Sequence, residues 1–451
     1  MTDEPDDRAA DPPHDPFAAL RNPNFRWYWI GNFLALLGMQ MQFAAVLWEI
    51  NSRTKSAYAL GLVGLVQVIP IVALALIAGH VADRFNRKHI VMLSGLIIAL
   101  AAAGLAGVRL IADERWAIIA MFVLLFITGL ARAFQQPAKS SLMPLLVSRE
   151  NFTNAVTWSA MAFQLASVAG PALGGLLIAR LGSTEPIYLL HAALAFSMCG
   201  MLAAVHYRRA ETAPQPMSLE NLLVGVNFMR RNRVILAAIT MDLFAVLLGG
   251  AVSLLPMYAD QILKVDAYGY GLLRAAPAIG ALAMSLVMAK LPPMQHAGRN
   301  LLIAVTGFGI ATIAFGFSRS FPFSLAMLFL TGAFDNISVV VRHSLVQLLA
   351  PDAMRGRISA VNGVFISISN EIGDFEAGMV AGLISPVFSV VSGGIGTLVV
   401  VAMSAWKFPE LRRYGRLDAA AEETIQTSHT EAEGIEPAAD RSGRGDAPPQ
   451  G

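Results

Sequence analysis

Apolar residues in this chain are gathered into runs too long and too numerous for the core of a soluble domain. The first runs from Arg26 to Ile50. Others cover 60–82, 89–111, 116–136, 153–180, 186–206, 234–262, 268–290, 299–318, 321–342, 358–385 and 386–406. About 20 apolar residues, at a rise of about 1.5 Å each, cross the hydrocarbon of a bilayer. Within lipid each backbone N–H and C=O must be satisfied inside the protein, which restricts such runs to helices. Composition agrees, with 14% charged and 55% hydrophobic residues, where a soluble domain carries about 25% charged. The fold class read from this is an all-α polytopic membrane protein with twelve transmembrane helices in two six-helix bundles.

Several function classes drop out at this point. A net charge of +2 gives no reason to expect a nucleic-acid partner. The single cysteine, Cys199, permits neither an intramolecular disulfide nor a cysteine metal site. His80, His89, His191, His206, His296 and His343 show no metal-ligand spacing with a carboxylate partner, so no metal or other cofactor is expected. No phosphate-cradling loop is present, which argues against ATP as the energy source. With no soluble catalytic domain, the chain does not read as an enzyme. The segment Met-Thr-Asp-Glu-Pro-Asp-Asp at the start is acidic, the opposite of a signal peptide's basic region, so the first span is expected to act as its own insertion signal.

The runs divide the chain. Residues 1–20 read as a disordered cytoplasmic tail, 21–206 as a first six-helix bundle, 207–233 as a cytoplasmic linker, 234–406 as a second bundle and 407–451 as a mostly disordered tail. Within the linker, Leu219, Leu222, Leu223, Val226 and Met229 recur at helical spacing, which predicts an in-plane helix on the membrane face. Lys and Arg crowd one set of loops. The other set holds only Arg53, Lys55, Arg109, Arg115, Arg180, Lys264 and Arg319, which places both termini in the cytoplasm. A repeat supports the division. At an offset of 203 positions, Thr128-Gly129 maps onto Thr331-Gly332, Ser141-Leu142 onto Ser344-Leu345, Leu145-Leu146 onto Leu348-Leu349, Gly170 onto Gly373 and Gly175 onto Gly378. Same-sense repeats of this kind suit two bundles that rock around a site near the midplane.

Between the second and third runs lies Gly79-His80-Val81-Ala82-Asp83-Arg84-Phe85-Asn86-Arg87-Lys88. Its pattern, Gly79-x-x-x-Asp83-Arg84-x-x-Arg87-Lys88, resembles the signature loop of the major facilitator superfamily at every position. Gly170-Pro171-Ala172-Leu173-Gly174-Gly175 resembles the core of that superfamily's antiporter motif, although Ala166 stands where the full motif has a glycine. The segments 351–362 and 408–413 resemble an exporter branch that takes in enterobactin exporters and macrolide-efflux-like proteins. The resemblance implies that Asp83 meets a helix start in the other half, near Gly356–Ser359, as a latch on the inner gate. The competing reading makes Arg84, Arg87 and Lys88 topology markers only. Gly170, Gly174 and Gly175 sit at spacing that permits close helix crossing, and Pro171 bends the helix. Tight packing and a leak-blocking kink both stay open.

Charges inside the membrane are costly and so are functional candidates. Arg132 with Gln135 and Gln136 partly resembles the fourth-span arginine motif. Asp242, Arg274, Asp335, Arg342, Glu371 and Asp374 complete the set of candidates for proton coupling or substrate binding. Glu371 and Asp374 are i, i+3 and share a helix face. A carboxyl between desolvation and a like charge can exchange a proton, and the three arginines are possible counter-charges. The alternative is that each acid is paired and only joins helices. Gln40, Gln42, Gln67, Gln164, Asn336 and Asn362 read as interhelical glue before substrate contacts. The function expected is secondary export of a small amphipathic molecule, siderophore-like or drug-like, driven by a proton gradient, with the protein a monomer in the lipid bilayer of the cell membrane. Uptake or lipid flipping on the same scaffold stays open, as does a non-transporting sensor or scaffold.

Overall fold

A computed structural model describes residues 15–206, 227–230, 232–249, 252–292, 294–350, 352–413 and 415. Residues 1–14 and 416–451 of the expected tails, and nearly all of the linker with its in-plane helix, lie outside these residues; the described part of the first tail includes a short helix, Ala18–Arg21, where disorder was expected. The long helices are α1 (Pro23–Thr54), α2 (Ala57–Arg84), α3 (Arg87–Gly107), α4 (Glu114–Leu142), α5 (Phe152–Leu181), α6 (Glu185–Ala203), α7 (Arg233–Gly249), α8 (Ala267–Met288), α9 (Ala297–Phe317), α10 (Phe321–Leu349), α11 (Asp352–Leu383) and α12 (Pro386–Lys407). No strand occurs among the described residues. Ten of the helices are long and apolar enough to cross a membrane. The exceptions are α7, with 17 residues, and α11, which is long but carries Glu371, Asp374 and Glu376.

The run 234–262 is not one helix. Helix α7 stops at Gly249, and after a break Leu255–Met257 and a π-turn at Tyr258–Ile262 complete the segment. Pro256 accounts for the restart, because it lacks an N–H and suits the first turn of a new helix. The other turns are short because polar residues cap the helices on either side. Asn22 accepts from the Asn24 N–H, Asn86 from Lys88, Asp113 from Arg115 and Trp116, Asp266 from Gly269 and Ser385 from Phe388. Each cap satisfies a backbone donor that would otherwise face the headgroup region unpaired.

The sequence repeat reappears as matched helix crossings. An added Cβ on Gly129 would meet Gln67 Cα of α2 at 2.9 Å, and one on Gly332 would meet Pro277 Cα of α8 at 2.6 Å. Gly170 presses α5 onto Gln40 and Met41 of α1, and its repeat mate Gly373 presses α11 onto Val246 and Leu247 of α7. Gly175 lies against Ala267 and Gly271 of α8, and Gly378 against Ala57 and Gly61 of α2. The last two contacts, α5 with α8 and α2 with α11, join the first six helices to the later ones. In lipid the hydrophobic effect does not drive helices together, so such close backbone approach supplies much of the association. All four of these helices carry proline or glycine at the crossing, and the joined region lies toward the end bearing the 55–56 and 258–266 turns.

Candidate functional site

Helices α2 and α11 cross through Gly61 and Gly378, and one turn deeper the same seam brings Gly64 against Glu371. An ideal Cβ on Gly64 would overlap Glu371 Oε2, so only glycine there leaves the carboxylate its position. A further turn along α2, Gln67 Oε1 accepts a hydrogen bond from Arg132 Nη1 of α4 at 3.3 Å. From α8, Arg274 places its guanidinium carbon 4.7 Å from the ring centre of Phe43 on α1, a cation–π contact. Asp374, Arg132 and Arg274 all act electrostatically on Glu371, and Arg274 acts on Asp374 as well. Two cations and two anions from three helices, α4, α8 and α11, thus form a neutral cluster at the seam between the two groups of helices. Mutual neutralisation is what lets ionised groups persist where solvation is poor.

Within this cluster the two acids differ. Asp374 is engaged: its Oδ1 accepts from the Ser253 N–H at 3.2 Å, and the Ser253 hydroxyl donates to its carbonyl at 3.3 Å. Glu371 Oε2 is buried and has no hydrogen-bond partner. Arg274 Nε and Nη1 are buried and unpartnered too. Groups of this kind hold capacity to bind something else, since leaving them unmet is costly. The sequence pattern put Glu371 and Asp374 on equal terms, and Ser253 separates them.

Asp242, Asp335 and Arg342 form a second cluster. Asp242 of α7 and Arg342 of α10 make an ion pair, both more than nine-tenths buried. Asp335 stands two turns before Arg342 and lines a small cavity with Asp242. It belongs to neither the α2–α11 seam nor the Glu371 cluster.

The Gly79–Lys88 loop has a structural role for its basic residues. Lys88 Nζ donates to the carbonyls of Ala203, the last residue of α6, and Val205, just past it, at 2.8 Å each. Arg87 donates to the carbonyls of Ser141 at 3.3 Å and Ala82 at 3.4 Å. Cations on terminal carbonyls satisfy orphan acceptors and oppose the helix dipole, so these residues are more than topology markers. Gly79 is buried in α2, Arg84 is the last residue of that helix and Asp83 is half-buried. The segment expected to meet Asp83, Gly356–Ser359, has side chains outside the described residues except for buried Ile358.

The antiporter-like stretch packs tightly on two sides. Gly170 and Gly174 face α1, Gly175 faces α8, and the carbonyl of Pro171 abuts Gly271. Most of the uncharged polar residues are glue. Gln40 donates to Ser167 at 2.9 Å, Gln164 to the Ala278 carbonyl at 3.0 Å, and Asn336 accepts from Ser285 at 3.1 Å. Gln42 meets His191 Nδ1 at 2.7 Å. The side chain of Asn362 lies outside the described residues.

Two groups escaped the sequence reading. Glu49 of α1 accepts from Thr184 and Tyr188 hydroxyls at 2.6 Å each and pairs with Arg53, which also holds Glu114. The i, i+4 spacing of Glu49 and Arg53 was its available signal. Asp260 joins the two helix groups, bonded to Lys55 Nζ at 2.6 Å and to Asn51 at 3.4 Å. Nothing local marks that contact, since the partners lie in different halves of the chain.

Comparison with known proteins is consistent over most of the chain. The model of the family described as transmembrane secretion effector matches residues 14–435. The enterobactin exporter EntS of Escherichia coli O1:K1 / APEC is 26% identical over 394 residues, covering 87% of this chain and 94% of that protein. The enterobactin exporter EntS of Shigella boydii serotype 18 matches to the same extent. Among solved structures, an inward-facing, unoccupied bacterial homolog of the human lysosomal transporter Spinster matches with a TM-score of 0.67 at 14% identity, over 86% of this chain and 98% of its own. A D-xylose–proton symporter matches with a TM-score of 0.66 at 14% identity, over 86% and 97%. At that identity the solved structures speak for the fold alone.

Proposed function

The chain belongs to the transmembrane secretion effector family of major facilitator transporters, and we propose that it is a proton-coupled exporter of a small amphipathic, siderophore-like molecule. That it is a multi-pass membrane transporter and not an enzyme follows from the family. The finer reading rests chiefly on one observation: Glu371 Oε2 is buried at the seam of the two helix groups without a hydrogen-bond partner, under the electrostatic influence of Arg132 and Arg274. A carboxyl so placed exchanges a proton when its counter-charges move. Substrate and proton then compete for one cluster, which is the requirement for exchange in opposite directions.

In this reading α7 and α11 are the seventh and eleventh spans, which completes twelve in a 6+6 arrangement. Helix α7 is short because its run resumes beyond Gly249, and α11 is polar because it carries the site. Both termini face the cytoplasm, as the Lys and Arg bias of the loops requires. The end joined by Gly61 with Gly378, Gly175 with Gly271, and Lys55 with Asp260 is then extracellular, and the described conformation is closed on that side. Alternating access breaks these contacts and makes others near Asp83. The siderophore class comes from the enterobactin exporters that the chain resembles, and Phe43 beside Arg274 suits an aromatic, polar cargo.

The test uses the purified protein in proteoliposomes, with enterobactin as probe and an imposed pH gradient. Wild-type protein is expected to move enterobactin against the proton flux. Glu371→Gln is expected to lose the pH-driven component while still binding the probe. Undiminished pH-driven flux in Glu371→Gln rejects the coupling role, and flux in the direction of the protons rejects export by exchange.

A further inference from the structure

The packing of α7, α9 and α10 encloses a charged site that the seam cluster does not reach. Asp335, Ser338 and Arg342 follow one another at i, i+3 and i+7, so they share one face of α10. Opposite them is Asp242, paired with Arg342. Asp242, Asp335 and Ser338 line one small cavity with Phe334 of α10 and Val305 and Phe308 of α9. Its space admits about one water-sized occupant.

Charge and hydrogen bonding in this site do not balance. Asp242 and Asp335 supply two negative charges and Arg342 one positive charge, so one negative charge is left over. Ser338 is 2% exposed, and its hydroxyl oxygen is buried with no hydrogen-bond partner. Among the described residues no other charge lines the cavity, and Arg274 of α8 belongs to the seam cluster. On α9 the middle turns that face the cavity present Val305 and Phe308, and α12 has no ionisable residue between Pro386 and Trp406. His343 of α10 is exposed. On α8, Ser285 is bonded to Asn336. Helix α11 meets α7 through Gly373, with Asp374 held by Ser253 and Glu371 turned to Gly64. An isolated negative charge in such an interior calls for a partner.

We propose that Asp335, Ser338 and Asp242 form a binding site for one monovalent hard cation, a proton or a sodium ion, beside the buried Asp242–Arg342 pair. The atoms there that can ligate a cation are the oxygens of Asp242, Asp335 and Ser338, which suits a hard cation, while Arg342 Nε and Nη1 are buried without hydrogen-bond partners beside them. A net charge of minus one and a single-occupant space select a monovalent over a divalent ion. A sodium ion takes the Asp335 carboxylate, Asp242 Oδ2 and the Ser338 hydroxyl. A proton sits on Asp335 with Ser338 as its hydrogen-bond partner. Occupancy neutralises the site either way. The site is separate from Glu371, so binding here holds whichever acid couples the flux. Only its use in transport rests on the transporter reading.

The experiment measures binding without transport. Thermal unfolding of the purified full-length protein in detergent is followed for wild type, Asp335→Asn and Ser338→Ala. One arm titrates sodium chloride against choline chloride at constant ionic strength, and the other varies pH without sodium. If the cation is sodium, Tm rises saturably with sodium and not with choline. That rise is absent in Asp335→Asn, and the apparent affinity falls about tenfold or more in Ser338→Ala. If it is a proton, sodium has no specific effect. Wild-type Tm then rises on acidification relative to Asp335→Asn, and Ser338→Ala shifts the midpoint. The proposal is overturned if wild type and Asp335→Asn respond alike in both arms. Should Asp335→Asn give no folded protein, Ser338→Ala decides: responses identical to wild type in both arms overturn the site.

Discussion

Replacing Gly175 by alanine tests whether close helix contacts hold the transporter shut. The new Cβ meets Gly271 Cα at 2.8 Å and Gly271 N at 3.0 Å, besides overlapping the Ala267 carbonyl. All three are backbone atoms, so no side chain can rotate to make room. Overpacking of this kind costs about 1–3 kcal/mol. Alanine in place of glycine returns about 0.5–1 kcal/mol of helix propensity, but it does so in every conformation. The steric cost falls only on the state in which α5 touches α8. The equilibrium therefore tilts toward the state open at that end by about 5- to 150-fold, the range corresponding to 1–3 kcal/mol. Ala57 reads this out, because it is 4% exposed beneath Gly378 in the companion seam. In a Cys199→Ser background, Ala57→Cys should react slowly with a membrane-impermeant maleimide from outside. Adding Gly175→Ala should speed labelling by a factor within that range, and Gly378→Ala should resemble it by pseudo-symmetry. Unchanged labelling with unchanged Tm would show that the contact does not hold the closed state. Unchanged labelling with a lowered Tm would show that both states bear the clash.

Other perturbations follow from the same geometry. Gly64→Ala meets only the tip of a flexible side chain, Glu371 Oε2. Moving that side chain off its rotamer costs about 0.5–1.5 kcal/mol, offset by helix propensity. Tm should stay near wild type while pH-driven flux in proteoliposomes falls as in Glu371→Gln, and normal flux would contradict the placement of the carboxylate. Glu49→Gln leaves the Thr184, Tyr188 and Arg53 donors facing a neutral amide. Hydrogen bonds to a charged group contribute about 1.5–3 kcal/mol, so unfolding in mild detergent should occur at lower temperature. An unaltered Tm would count against a stabilising network there.

Much of the architecture is legible from local pattern. A run such as Leu60 to Ala82 forms a helix in lipid whatever surrounds it, because its backbone must bond to itself. The offset that pairs Gly129 with Gly332 and Gly175 with Gly378 foretells matched crossings, because glycine at a crossing is a local requirement. The Gly79–Lys88 loop announces the superfamily. The end of the seventh run was less legible: apolar residues continue past Gly249, and hydropathy alone does not register the break before Pro256. Sequence pattern likewise left open whether Lys88 is more than a charge marker, since Ala203 and Val205, whose carbonyls it holds, are more than 100 residues away.

The candidate site was legible only as a roster of charges. Sequence alone determined that Arg132, Arg274, Asp242, Asp335, Arg342, Glu371 and Asp374 lie within apolar runs, where each needs a reason to be charged. Tertiary structure decided which groups share an environment. It paired Asp242 with Arg342 and set Asp335 and Ser338 against a small cavity. It tied Asp374 to Ser253 and set Glu371, unpartnered, against Gly64. The physical reason is range. Helix formation and membrane insertion depend on neighbours along the chain, whereas the state of a buried charge depends on burial and on groups brought from elsewhere in the chain.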